Sequence, residues 1–217
     1  MSDMTTTPMH FGQPDTRTDT AIARRAMIDS QLRTSGVNEE YVLARMIAVP
    51  REDFLPADKA SVAYIDRALM LGTRETGGGH LAAPAFYGKL MLEAAPTADD
   101  RVLVVSGGTG YLAALIRPLV ADLTEITAAE AVAPSDTGTG TGSYSLIVID
   151  GAIEQLPDAL AGQLADGGRI VTGLLLRQVT RLASGRKIVR QVSLQPTEDL
   201  GIPVLSAFAV PKSWTFA

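Results

Sequence analysis

The segment of this 217-residue chain best equipped for chemistry is SGGTG, residues 106–110, because it is nearly all backbone. An apolar run, residues 102–105, stops there, and a small-residue helical pattern begins at Tyr111. That order aims main-chain N–H groups and a helix N-terminus at the carboxyl end of a buried strand, where α/β sheets hold nucleotides. Glycine suits positions 108 and 110 because the turn calls for positive φ and a ligand's approach leaves no room for a Cβ. Ligand loops of this kind usually carry an acidic residue and three glycines, and Val104 and Ser106 occupy two of those places. Ser106, Gly108 and Gly110 are therefore candidate cofactor contacts in a loop that reads as eroded. The competing reading is a tight strand-to-helix turn and nothing more.

Asp150 is the second candidate. It ends the apolar run 146–149 at the same edge of the sheet. A carboxylate there suits a donor's cationic groups or, less readily, a metal; alternatively it caps the turn that Gly151 and Ala152 begin. Other chemistries lack their residues. The chain has no cysteine, no G-x-S-x-G elbow, no phosphate-binding lysine after the loop and no zinc-like spacing of His, Asp and Glu. The formal charge of -5 argues against a nucleic-acid surface. No apolar leader or bilayer-length stretch is present, so a cytoplasmic protein without a membrane partner is expected. Arg177, Arg181, Arg186, Lys187 and Arg190 read as the solvated face of a hairpin.

The elements that must position these residues follow from spacing. Residues 1–17 read as a flexible arm, 18–96 as a helical subdomain and 97–217 as a Rossmann-like domain. A helix from Asp19 stops at Gly36; Asn38 caps a second, ended before Pro50. Residues 57–64 suggest a short helix and 84–94 another, the latter after a mobile loop at residues 77–79. Strands are expected at 146–150 and 169–175, with a short helix between. A hairpin is expected over 179–182 and 188–194, turning at Ser184, Gly185 and Arg186. Residues 135–143, SDTGTGTGS, read as a flexible linker.

Several segments in one order resemble the protein-L-isoaspartate O-methyltransferase family: MIDSQLRTSGV, VPREDFLP, AYIDRALMLG, HLAAPAFYGKLM, VLVVSGGTGY and YSLIVIDGAIEQLPDALAGQLADGGRIV. They span about residues 24–175. The resemblance implies a Rossmann-like α/β fold that binds S-adenosylmethionine and transfers its methyl group to the carboxylate of isoaspartyl-containing proteins or peptides. It also locates departures. Val104 stands where the family has its acidic residue. Thr127 stands, in ungapped alignment, where a carboxylate holds the ribose, with Glu125 two residues earlier on the same strand face and Glu130 three later. Ala82 stands where a hydroxyl helps hold the acceptor carboxylate, with His80 as a neighbouring replacement; the plainer reading of His80 is a solvated side chain.

Between Thr127 and the strand at 146 the family has a further helix and strand, and the Gly-rich stretch here is too short for both. The sheet is therefore expected to be shortened by one edge strand, leaving residues 123–127 open to self-association or a protein partner. Each lost contact to a charged group weakens binding by about 1.5–3 kcal/mol, so weak or lost cofactor binding is expected. Two functions follow: methyl transfer of the isoaspartyl-repair class with weakened activity, or a degenerate relative acting as a binding or assembly module.

Overall fold

The computed structural model describes residues 16–72, 78–133 and 142–210. Residues 1–15 of the expected arm, Gly77 and most of the expected linker lie outside them; residues 16 and 17, expected in the arm, open the first helix. In chain order the helices are α1 (Thr16–Met27), α2 (Glu40–Ala48), α3 (Pro84–Ala94), α4 (Tyr111–Ile116), α5 (Ala128–Val132) and α6 (Asp158–Gln163). The strands are β1 (Leu69–Met70), β2 (His80–Leu81), β3 (Arg101–Ser106), β4 (Asp122–Thr127), β5 (Tyr144–Ile153), β6 (Leu164–Leu176), β7 (Val179–Ile188), β8 (Gln191–Val192) and β9 (Gln195–Asp199).

The main sheet runs β4-β3-β5-β6-β7-β8, with β9 also on β7; β1 and β2 pair separately. Its β4, β3, β5 and β6 strands are parallel and β7 returns antiparallel. Parallel strands are covered on both faces, so β3 and β5 read as unbroken apolar runs. Their side chains divide by the period of two. Val102, Val104, Leu146 and Val148 join the N-terminal helices, α3 and α4 in one core. Leu103, Val105, Ile147 and Ile149 join α5, α6 and Phe208 in the other. The N-terminal helices and the sheet thus share one interior.

β4 ends the sheet, as the missing helix-strand unit requires. Its ladder to β3 is continuous from Asp122 to Thr127. Two outer groups are already engaged: Arg117 Nη1 donates to the Leu123 carbonyl at 3.3 Å, and the Thr127 N–H donates to Glu130 at 2.7 Å.

Several expectations are corrected. The N-cap of α2 is Glu39, not Asn38. Ser184, Gly185 and Arg186 lie inside β7, not at a turn. The turns fall at Arg177–Gln178 and Val189–Arg190, all four at positive φ. Those conformations ordinarily select Gly or Asn, so the sequence carried no turn signal there. The apolar strand at 146–150 continues through Ile153, which removes the cap proposed for Asp150. Lys187 is buried, its ammonium donating to the Leu164 carbonyl at 2.6 Å, so the basic cluster is not wholly a solvated face.

Candidate functional site

The glycine turn stands where it was expected, after β3 and ahead of α4. Gly108 has φ +99° and Gly110 φ +74°, so both need the freedom of glycine. The Ser106 hydroxyl accepts the Gly108 N–H at 3.2 Å, closing the turn on itself. Val104 is 1% exposed and belongs to the core, so nothing at that position reaches a ligand.

The space above the turn belongs to the segment leading into β2. The His80 N–H donates to the Gly107 carbonyl at 2.8 Å. A Cβ built on Gly108 would lie 2.6 Å from Gly79 Cα, and one on Gly79 would lie 2.6 Å from the Gly107 oxygen. Gly79 is thus fixed by close packing, not left mobile. His80 is 3% exposed, contrary to the expectation of a solvated side chain. A Cβ on Gly107 would meet its Nε2 at 2.7 Å and the Asp150 carbonyl at 2.8 Å. The imidazole is wedged between the glycine turn and the end of β5.

Asp150, 1% exposed, faces that imidazole, with Oδ1 3.6 Å from His80 Nε2. That separation exceeds a hydrogen bond, and neither atom has a hydrogen-bond partner among the described residues. The other oxygen, Oδ2, accepts from the Tyr87 hydroxyl at 3.3 Å, and Tyr87 in turn accepts the Ala82 N–H at 3.1 Å. Burial, and after it the Asp150 carboxylate, pushes the Tyr87 hydroxyl well above its ordinary pKa, although Arg51 opposes the shift. Tyr87 is therefore a neutral donor. Ala82 is fully buried, so the family's hydroxyl position faces packed protein.

Arg51, of the PREDF segment, was not singled out from sequence. It is fully buried, donating from Nε to the Ala63 carbonyl at 2.7 Å and from Nη2 to the Ala82 carbonyl at 2.8 Å. Its guanidinium carbon stands 5.6 Å from the Tyr87 ring centroid and 5.2 Å from that of Tyr111. Burial raises the Tyr111 hydroxyl to about 12 against the opposing charge of Arg51. The readable signal was an arginine in an otherwise rigid, Pro-bounded connector, but its two aromatic partners lie far along the chain.

At the end of β4 the expected ribose contact has another task. Thr127 caps α5, its Oγ1 accepting the Glu130 N–H at 3.2 Å while Glu130 returns to the Thr127 N–H at 2.7 Å. Glu130 is thereby committed as well. Glu125 is exposed, and its Oε1 would lie 3.6 Å from a Cβ on Gly110. It stands exposed beside Gly110, whereas Asp150, the other carboxylate near the turn, is buried behind His80.

These residues do not fit S-adenosylmethionine as placed. The donor needs open space over the glycine turn, and Gly79 and His80 fill it. The family's acidic residues at positions 104 and 127 are missing as well: Val104 is apolar and Thr127 serves as a helix cap.

Comparison with known proteins places the chain nonetheless. The family model described as protein-L-isoaspartate(D-aspartate) O-methyltransferase matches residues 23–134. A protein-L-isoaspartate O-methyltransferase from Koribacter versatilis is 36% identical, over 70% of this chain and 76% of the relative. One from Roseiflexus castenholzii is 35% identical, over 76% and 83%. Among solved structures, a protein-L-isoaspartate O-methyltransferase superposes with TM-score 0.65 at 18% identity, covering 84% of this chain and 66% of that one. A Plasmodium falciparum protein described by the same activity, in complex with S-adenosyl-L-homocysteine, superposes with TM-score 0.65 at 14% identity, covering 85% and 98%. These share the Rossmann-like methyltransferase fold, and S-adenosylmethionine is the family's cofactor. The chain belongs to the protein-L-isoaspartate(D-aspartate) O-methyltransferase family.

Proposed function

We propose that this chain is a degenerate protein-L-isoaspartate O-methyltransferase, one that keeps the fold and serves as a protein-binding or assembly module. On this reading it no longer transfers methyl groups to isoaspartyl carboxylates. The observation that carries this reading is the seating of Gly79 and His80 on Gly107 and Gly108, where a donor would lie. The losses at Val104, Thr127 and Ala82 act in the same direction. Two missing charged contacts at about 1.5–3 kcal/mol each amount to a hundredfold or more in donor affinity.

A second reading, a working isoaspartyl methyltransferase of low rate, is favoured by one feature. Gly108 and Gly110 keep the positive-φ geometry of a ligand turn, with the Glu125 carboxylate at its mouth. Such transfer relies mainly on proximity and orientation, so loss of polar groups need not abolish it. An isoaspartyl peptide and labelled S-adenosylmethionine separate the two. The degenerate reading expects no methyl ester above the uncatalysed background, from this chain or from Ala82→Ser. Turnover within tenfold of an active relative contradicts it.

For a binding role, the open main chain of β4 is the surface we favour, with a second copy or another protein as its partner. No helix among the described residues is long and apolar enough to cross a membrane.

A further inference from the structure

Two aspartates in this chain precede glycine, Asp150–Gly151 and Asp166–Gly167, and its one asparagine, Asn38, precedes glutamate. An Asp-Gly step is where a main chain rearranges most readily. Glycine has no side chain to shield its nitrogen, and its backbone freedom lets that nitrogen reach the preceding carboxyl group.

The fold treats the two steps differently. Asp150 is 1% exposed within β5, its carboxylate accepts from Tyr87, and a Cβ on Gly151 would lie 2.7 Å from Leu205 Cγ. Packing holds that peptide in place. Asp166 and Gly167 are exposed. Leu164 pairs with Tyr144, and the next pair is Arg169 with Leu146, so residues 165–168 bulge from the ladder with β5. Pairing with β7 also begins only at Arg169. Gly167 has φ +77°, and a Cβ there would meet nothing within 4 Å. Its carbonyl accepts from Arg186 Nη1 at 3.2 Å.

We propose that Asp166 is a site of spontaneous isoaspartate formation, which turns this chain into a methyl acceptor for active members of its own family. The Gly167 nitrogen attacks the Cγ carbon of the protonated Asp166 side chain. The new N–Cγ bond forms, the Cγ–OH bond breaks, and one water leaves, giving a five-membered succinimide. One water then opens the ring at the former main-chain carbonyl carbon. The chain now runs through Cβ and Cγ, and the α-carboxylate stands free in solvent. Water lost and water gained balance, and no oxidant or reductant takes part. The bulge accommodates the added methylene because no ladder partner is displaced.

The test ages the full folded chain at physiological temperature, near neutral pH, and then digests it, denatured, with endoproteinase Asp-N. That protease cuts before aspartate and not before isoaspartate. Cutting at residue 166 is expected to fall with time while cutting at 150 stays complete, and a chain aged in urea is expected to lose both. Aged protein is expected to take label from S-adenosylmethionine through an active isoaspartyl methyltransferase, and Asp166→Glu, an exposed change, to abolish that label. A parallel sample without added enzyme reads this chain's own activity, so the outcome does not depend on the function proposed above. Undiminished cutting at 166 after ageing, or equal loss at 150 and 166 in the folded chain, overturns the proposal.

Discussion

A turn in which residues 107, 108 and 110 lack a Cβ admits whatever lies nearest, ligand or chain, and here Gly79 and His80 lie against it. Gly79→Ala tests that directly. Its methyl group would lie 2.6 Å from the Gly107 oxygen and 2.8 Å from Gly108 Cα, both main chain, so relief requires moving backbone. A loss of about 1–3 kcal/mol in denaturant unfolding is expected, and a neutral result would show that the segment is not seated there. A second residue-level prediction concerns Asp100. Burial alone would raise its pKa, but hydrogen bonds from Arg169, Ser145 and Thr97 hold it far below the usual carboxylate range. Arg169 grips it with two nitrogens, at 3.0 and 2.6 Å. A depressed pKa contributes stability that is complete above the unfolded value of about 3.9 and is lost as pH falls through the folded value. Asp100→Asn should therefore flatten the acid limb of a stability–pH profile below about pH 4, and an unchanged limb would contradict the pairing. The sequence exposed the glycine turn and Asp150 because strand, turn and helix follow one another locally. It could not expose the burial of His80, which depends on the meeting of residues 80, 107 and 150.

At the scale of elements, α5 is held by a reciprocal cap. Thr127→Ala should cost about 1 kcal/mol in unfolding free energy, and it should free the Glu130 amide, which the Thr127 hydroxyl accepts, for faster hydrogen exchange. The same cap blunts the β4 edge, as does Arg117 on the Leu123 carbonyl. Binding at this edge, if it pairs strand to strand, is therefore expected to read out at Glu125. Protection of that amide should grow with protein concentration. Rapid, concentration-independent exchange in a strictly monomeric protein removes the edge as an interface. Helix α3 was legible to its end residues because Pro84 starts it and an apolar stripe fills it. The β6–β7–β8 turns were not, because Arg177, Gln178, Val189 and Arg190 adopt positive φ without the residues that advertise it. The sheet's pairing imposes those turns against local preference.

Across the whole molecule, a parallel sheet with apolar strands needs cover on both faces, and two cores supply it. That much was written in the order of hydrophobic runs and breaks, and the shortened edge in the length of the segment between Thr127 and Tyr144. What was not written is that the fold closes over its own ligand edge, because closure joins segments that share no pattern. On the reading proposed above, the seating of Gly79 and His80 on the glycine turn, with Val104 and Thr127, removes the donor site. Titration calorimetry of the full chain with S-adenosyl-L-homocysteine tests it most directly, with melting temperature as a companion readout. No saturable heat and no ligand-dependent rise in Tm are expected. Stoichiometric binding, with chemical-shift changes at Gly108 and Gly110, would contradict it.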